Sequence, residues 1–166
     1  MQYLKYISFL LLLSSCTSTY YIIRHAEKLD QSRDAILSIA GIQRANDLNS
    51  YFVIRGIHID SIFVSTYLRT QQTAQPAAIA TGKTPIIINQ ADDATLEKMI
   101  ARLNAMDKKT VLVVGHTNTV PRIIEELSGV DIGTIAEDDF DNLYIVTIKN
   151  GQRSMQHITY GKASPN

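Results

Sequence analysis

The fold is decided by the stretch TVLVVGHTN, residues 110–118. Four aliphatic residues in a row, Val111 to Val114, lead directly into a glycine and a histidine. An apolar run without polar alternation is typical of a strand buried on both faces, as in the parallel sheets of α/β proteins. In such sheets, ligands bind beyond the carboxyl ends of the strands. The sequence therefore predicts a buried strand from Thr110 to Val114, followed by a functional site.

The rest of the chain alternates between strand patterns and helix patterns. Short β-rich runs predict three further strands at Tyr20 to Ile23, Ser61 to Val64 and Thr84 to Ile88. Apolar residues at helical spacing predict helices at Ser38 to Ile54, Leu68 to Thr81, Ala94 to Met106 and Val120 to Leu127. Ser38 suits an N-cap, and Gly82 is typical of a helix end.

Two more β-rich runs, Leu143 to Ile148 and Ser154 to Tyr160, flank the dipeptide Asn150-Gly151. Asn-Gly between such runs is a strong hairpin signal. Strands that alternate with helices predict a mainly parallel sheet. We therefore expect an α/β fold, a three-layer sandwich whose mainly parallel central sheet is flanked by helices and carries a C-terminal antiparallel hairpin.

The bulk composition fits one compact enzyme-sized domain. The chain has 166 residues, 45% of them hydrophobic, which is enough for a single core. The formal net charge is zero, with 16 basic and 16 acidic residues. Because proteins that bind nucleic acids usually carry a basic excess, no nucleic-acid partner is expected.

The N-terminus has the pattern of an export signal. Lys5 precedes the apolar run Ile7 to Leu13, which is too short for a membrane-spanning helix of about 20 residues. Leu13 to Cys16 looks like the lipobox of bacterial lipoproteins, in which the cysteine carries the lipid. We therefore expect residues 1–16 to be a signal peptide with a lipidated Cys16, and residues 17–166 to be the domain. The protein would then lie in the bacterial cell envelope, lipid-anchored on the periplasmic or extracellular face.

A different interpretation of this segment is a buried first strand with an incidental cysteine. Cys16 is the only cysteine in the chain, so an intramolecular disulfide is excluded.

Arginine and histidine residues follow three of the predicted strands. Arg24 and His25 follow the first, Arg69 lies shortly after the second, and His116 follows the fourth. The fork of donors on arginine matches the oxygens of a phosphate group. A neutral imidazole is a competent nucleophile for phosphorus. These residues together predict a site for a tetrahedral dianion.

Four motifs give the chain a resemblance to the histidine phosphatase, or phosphoglycerate mutase-like, superfamily. They are Arg24-His25-Ala26-Glu27, Leu37 to Ala45, Ser65 to Ala74 and Val113 to His116. The first resembles the family's Arg-His-Gly-Glu signature, with alanine in place of glycine. In order and position, the four motifs are similar to the small phosphatase members of the superfamily.

The resemblance implies a phosphomonoesterase that works through a phosphorylated His25. Arg24 and Arg69 would hold the phosphoryl oxygens, and His116 would stabilise the transition state beside them. No cofactor and no metal is implied. The substrate would be a phosphorylated small molecule or a phosphoprotein, and the sequence leaves both this choice and the oligomeric state open.

The general acid is the least defined part of this expectation. One branch of the family uses a His-Asp pair, but Thr117 follows His116 here. Asp92 or Asp93, after the third predicted strand, is a candidate acid, and each also suits the simpler role of a helix cap. Glu27 is interpreted as a supporting residue, and Lys28 as either a cation at the pocket mouth or a solvated side chain.

Two other functions remain open from the sequence. One is a non-catalytic phosphate-binding lipoprotein that has lost the acid. The other is a phosphomutase, which is disfavoured because the segment between Gln75 and Thr110 lacks a long insertion. The acidic run Glu137 to Asp141 is interpreted as a solvated loop, although it could line the pocket mouth with Asn118 and Thr119.

Overall fold

The computed structural model describes residues 16–164, which form a mixed α/β fold. Within these residues the elements in chain order are β1 Thr17–Arg24, α1 Ile39–Ile54, β2 Ser61–Ser65, α2 Leu68–Thr81, β3 Ile86–Ile88, α3 Asp93–Asn104, β4 Thr110–Gly115, α4 Thr119–Ser128, β5 Asn142–Lys149 and β6 Gln152–Thr159. The predicted elements are all present. The largest difference is at β1, which begins three residues earlier than predicted, directly after Cys16.

The strands form one sheet in the order β3-β2-β4-β1-β5-β6. The first four in this order are parallel, and β5 and β6 are antiparallel. Asn150 and Gly151 form the two-residue turn between β5 and β6, with positive φ angles of 50° and 81°. A turn of this kind requires positive φ at both positions, which is why Asn-Gly predicted it.

Alternate residues of the central strands face two separate cores, so the predicted three-layer sandwich is confirmed. One core joins Tyr20, Ile22 and Val113 to α3 and α4. The other joins Tyr21, Ile23 and Val114 to α1 and α2, with Leu48 and Ala74 among its helical members. Because both faces of β1 and β4 are covered, these strands are apolar along nearly their whole length.

The predicted signal segment, residues 1–15, lies outside the described residues. Between residues 16 and 164, the structure contains no helix that is both long and apolar enough to cross a membrane.

The start of α1 is fixed against the loop that follows β1. Ser38 caps the helix by accepting a hydrogen bond from Gly41 N, at 3.1 Å, as its position in the sequence predicted. Ser38 N in turn donates to Glu27 O. Gly41 lies so close to this loop that an added Cβ would be 2.3 Å from Glu27 O.

We expect Gly41→Ala to destabilise the protein although alanine is the better helix former. Helix propensity alone favours alanine by about 1 kcal/mol, but the new methyl group would overlap a backbone oxygen that Ser38 N already holds. A net loss of about 3 kcal/mol in the free energy of unfolding is expected from such overpacking. Urea denaturation measures it, with Ala40→Gly, an exposed change on the same helix, as the propensity control. A stabilised Gly41→Ala protein would show that the contact is not tight.

Candidate active site

The pairing of β1 with β4 brings two histidines together. Arg24 is paired with Gly115 in the parallel register, and His25 and His116 are the next residues on the two strands. His25 N donates to Gly115 O at 2.9 Å, which extends the ladder by one step. The ring centroids are 5.4 Å apart. The prediction that these strands are adjacent and that their histidines share one pocket is confirmed.

His25 is buried and has a defined tautomer. Its Nδ1 is 2.8 Å from Ala26 O, and because a carbonyl oxygen only accepts, the proton is assigned to Nδ1. The lone pair is therefore on Nε2. Burial lowers the pKa of His25 from 6.5 to about 3, and the positive charges of Arg24 and Arg69 contribute in the same direction. At neutral pH the imidazole of His25 is therefore unprotonated, which is the form that nucleophilic attack requires.

His116 is held between Ser65 and Arg69. Its Nε2 is 2.9 Å from Ser65 Oγ, and its Nδ1 is 3.5 Å from a terminal nitrogen of Arg69. Burial is the main cause that lowers the pKa of His116 to about 4, and the charges of Arg69 and Arg24 lower it further. Both imidazoles are therefore neutral when no anion is present.

Arg69 lines the pocket beside both histidines, where the sequence placed it. It lies in the first turn of α2, stacks over the Tyr67 ring at 4.3 Å and donates to Arg33 O at 2.9 Å. Its Nε is buried and has no hydrogen-bond partner among residues 16–164. A buried donor without a partner is costly, and an oxyanion in the pocket is a ligand that such a donor suits.

Arg24 supports the loop before β5. The side chain is 3% exposed. Its NH1 donates to the backbone oxygens of Ala136 and Asp139, its NH2 forms a 2.9 Å ion pair with Glu137, and its guanidinium stacks on Phe140 at 4.3 Å. In the part of the chain that the structure describes, only its Nε lacks a partner. Phosphate binding by Arg24 stays a prediction.

Glu137 is a pocket residue, as the less favoured of the two interpretations of its loop predicted. Its side chain is 81% exposed, yet it lines the cavity and bonds both Arg24 and Thr117 Oγ1. The interpretation of the whole Glu137 to Asp141 run as a solvated loop is therefore wrong for Glu137. No local signal could have revealed this contact, because it depends on where the buried Arg24 lies.

Asp92 and Asp93 have partners outside the pocket. Asp92 is the N-cap of α3 and accepts from Thr95 N at 2.8 Å. Asp93 forms a 2.8 Å ion pair with Arg122. Neither belongs to the described residues that line the cavity. The capping role is thus observed for Asp92, and a role of either carboxyl as the general acid stays a prediction.

The cavity has a volume of about 320 Å³ and a polar lining. Its described lining residues are His25, Lys28, Tyr67, Arg69, Gln90, Ala91, His116, Thr117, Asn118, Thr119 and Glu137. The lining includes Lys28, Asn118 and Thr119, which one of the interpretations of the sequence placed at the mouth of the pocket. Gln90 was missed; it is 3% exposed and ties the end of β4 to α4 by bonding Val114 O and Thr119 Oγ1.

The described residues offer no metal site, and a second groove lacks charged groups. Residues 16–164 contain no group of three or more histidine, cysteine or carboxylate side chains that could hold a metal ion. A larger groove of about 540 Å³ lies between α1 and α2, but its described lining is apolar or carries only amide groups. The smaller cavity, with its histidines and arginine, is therefore the candidate active site.

Glu27, the last residue of the first motif, supports the pocket from behind. Its carboxylate receives three hydrogen bonds from the buried Arg44, the shortest at 2.7 Å. Arg44 also donates to Tyr160 O, so this ion pair connects the loop after β1 to the end of β6. The supporting role predicted for Glu27 agrees with these contacts.

Comparison with known proteins agrees with the fold and with the motifs. Residues 20–94 match the family model of the histidine phosphatase superfamily, branch 1. A structure of the protein histidine phosphatase SixA complexed with tungstate is 19% identical, covers 85% of this chain and 96% of its own, and gives a TM-score of 0.69. Phosphoserine phosphatase from Entamoeba histolytica, complexed with 3-phosphoglyceric acid, is 16% identical, with 88% and 98% coverage and a TM-score of 0.62. No curated protein sequence gives a significant match.

Fold, motifs and pocket together define a phosphatase. The stretch that matches the family model of the histidine phosphatase superfamily contains three of the four motifs on which the predicted resemblance rests. At these identities the two solved structures establish the fold, and the matched residues 20–94 contain His25 and Arg69.

We expect Glu137→Gln to tighten the binding of inorganic phosphate roughly tenfold. Glu137 places a carboxylate on Arg24, where it repels an incoming anion. Removing one such charge is worth about 1.4 kcal/mol, or one factor of ten. Calorimetric titration with phosphate measures the change.

The neighbouring substitution Asp138→Asn removes the same charge from an exposed residue that the pocket lining does not include among the described residues. It should change phosphate affinity much less. Equal effects of the two substitutions would mean that only the net charge of the loop matters.

Proposed function

We propose that the chain hydrolyses phosphate monoesters through a covalent phosphohistidine at His25. The observation that carries this proposal is the state of His25, a buried neutral imidazole whose Nε2 lone pair is available and whose pocket contains Arg69 and His116. Phosphoryl transfer depends mainly on positioning and on charge stabilisation. The pocket supplies the position through His25 and the charge stabilisation through Arg69 and His116.

The reaction consists of two displacements at phosphorus. In the first, Nε2 of His25 forms a bond to phosphorus while the bond from phosphorus to the ester oxygen breaks, and the leaving oxygen takes up a proton from solvent water. In the second, water attacks the phosphohistidine and gives up one proton to the solvent, the bond from phosphorus to Nε2 breaks, and inorganic phosphate leaves. Arg69 compensates the charge on the phosphoryl oxygens in both steps.

The substrate class follows from the size and polarity of the cavity. A volume of about 320 Å³ accommodates a phosphoryl group with a small attached portion, or a phosphate carried on an exposed protein side chain. SixA is a protein histidine phosphatase, and the Entamoeba histolytica relative is a phosphoserine phosphatase. These two relatives support a soluble phosphorylated small molecule or a phosphoprotein as the substrate.

We further propose that a lipid on Cys16 holds the domain at a membrane of the bacterial envelope. Cys16 is fixed to the β5-β6 turn by two hydrogen bonds with Asn150: Cys16 N donates to Asn150 Oδ1, and Cys16 O accepts from Asn150 N. It lies at the start of β1, whereas His25 follows the end of the same strand. Eight residues of strand span roughly 26 Å, so the pocket would open on the side away from the lipid.

We expect His25→Ala to abolish turnover and to retain much of the phosphate affinity, because Arg69 and His116 remain. Hydrolysis of aryl phosphates and rapid acid-free trapping of ³²P on the protein measure the two properties. The wild type should show a label that is stable to base and labile to acid, and His58→Ala, an exposed change outside the pocket, should keep it. Wild-type rates in His25→Ala would exclude the covalent mechanism. Phosphate binding by the wild type without label or turnover would identify a binding protein instead.

We expect Cys16→Ser to abolish lipid attachment, because no other cysteine is present in the chain. Metabolic labelling with a fatty acid, followed by membrane fractionation in a bacterial host, measures this directly. The variant should lose the label and keep its phosphatase activity, since the pocket lies at the other end of β1. Equal labelling of variant and wild type would show that Cys16 carries no lipid.

A further inference from the structure

The hydrogen bonds of His116 determine which of its nitrogens carries the proton. Arginine has only donors, so the nitrogen that faces Arg69 at 3.5 Å, Nδ1, is the one that bears a lone pair. The proton is then on Nε2, which donates to Ser65 Oγ at 2.9 Å. Ser65 thus has to act as an acceptor at this position.

Thr70 determines the direction in which Ser65 donates its hydroxyl proton. The two hydroxyl oxygens are 2.9 Å apart, and Thr70 Oγ1 already donates to Tyr67 O, at 2.9 Å, and accepts from Ser65 N, at 3.1 Å. Ser65 therefore donates its proton to Thr70 and keeps its lone pairs for Tyr67 N and for Nε2 of His116. Every donor in this set has an acceptor, and both hydroxyls are buried, with exposures of 1% and 0%.

We infer that Ser65, oriented by Thr70, is a positioning residue that fixes the His116 tautomer and leaves Nδ1 ready to take up a proton beside the bound phosphate. The inference rests on the proposed function. When a phosphate dianion enters, one proton from solvent binds Nδ1, and His116 becomes an imidazolium that donates to a phosphoryl oxygen from Nδ1 and to Ser65 from Nε2. This charge compensates the dianion in both displacements.

The tautomer can be measured on the full chain without any substrate. Ring ¹⁵N shifts of labelled histidine, assigned by their loss in His116→Asn, report which nitrogen carries the proton. Thr70→Val leaves the Ser65 hydroxyl free to donate to Nε2, so that only Arg69 still disfavours a proton on Nδ1, and the population of the Nδ1-protonated tautomer of His116 should rise measurably. Thr81→Val removes a hydroxyl at the far end of the same helix, where it donates to Ala77 O, and should change nothing. A wild-type His116 with its proton on Nδ1, or no change in Thr70→Val, would overturn the inference.

The pH profile distinguishes positioning from a merely structural role. Ser65→Ala removes the acceptor of the imidazolium, which lowers the pKa of His116 in the substrate complex. The basic limb of the kcat profile should therefore move to lower pH by about one unit. At pH values above that limb kcat should fall about tenfold, with a smaller change in KM. Ser65→Thr, which keeps the hydroxyl, should restore the limb. If Ser65→Ala does not fold, the ¹⁵N spectrum of Thr70→Val still tests whether Ser65 fixes the tautomer of His116.

The two proposals can fail separately. An unchanged limb in Ser65→Ala, with normal phosphohistidine at His25, would overturn the positioning role and leave the phosphatase mechanism intact. Absence of phosphohistidine at His25 in the wild type would instead remove the proposed function on which the positioning role rests.

Discussion

The parallel pairing of β1 with β4 is the constraint on which the rest of the site depends. Its register sets Arg24 opposite Gly115 and the two histidines one step further on. The chain leaves these neighbouring strands in opposite directions, β1 through α1 towards β2 and β4 through α4 towards β5. A crevice forms where such connections diverge. A shift of one residue between these strands would turn the side chains of the shifted strand to the other face of the sheet and would separate the two histidines.

The second constraint is electrostatic. Two imidazoles that are buried beside two guanidinium groups lose their protons, which is why the pKa values of His25 and His116 are about 3 and 4. The pocket therefore combines two neutral imidazoles with positive charge on its arginines. Glu137 balances part of that charge from the mouth of the pocket.

The sequence was most informative where local patterns determine local structure. Apolar runs located the central strands, Ser38 and Gly82 marked helix ends, and Asn150-Gly151 marked the hairpin. The strand-end rule then brought the histidines and Arg69 together. Gln90 and Ser65 were not assigned roles, and Glu137 was placed in a loop interpreted as solvated, because the contacts of these residues are made with residues 24 to 113 positions away. No window of sequence contains both partners of such a contact.

The hydrogen bonds between residues 136–139 and Arg24 have a consequence for the order of folding. These partners are 112 to 115 residues apart in the chain, and closing so long a loop costs entropy that few local contacts repay. A chain that has assembled only β1 to β4 has nothing to neutralise the guanidinium of Arg24, and burying an unpaired cation is strongly unfavourable. This side of the pocket mouth is therefore completed late, when β5 docks and its preceding loop closes over the arginine. During synthesis, the parallel half of the domain emerges first and stays catalytically incomplete until the last third of the chain follows.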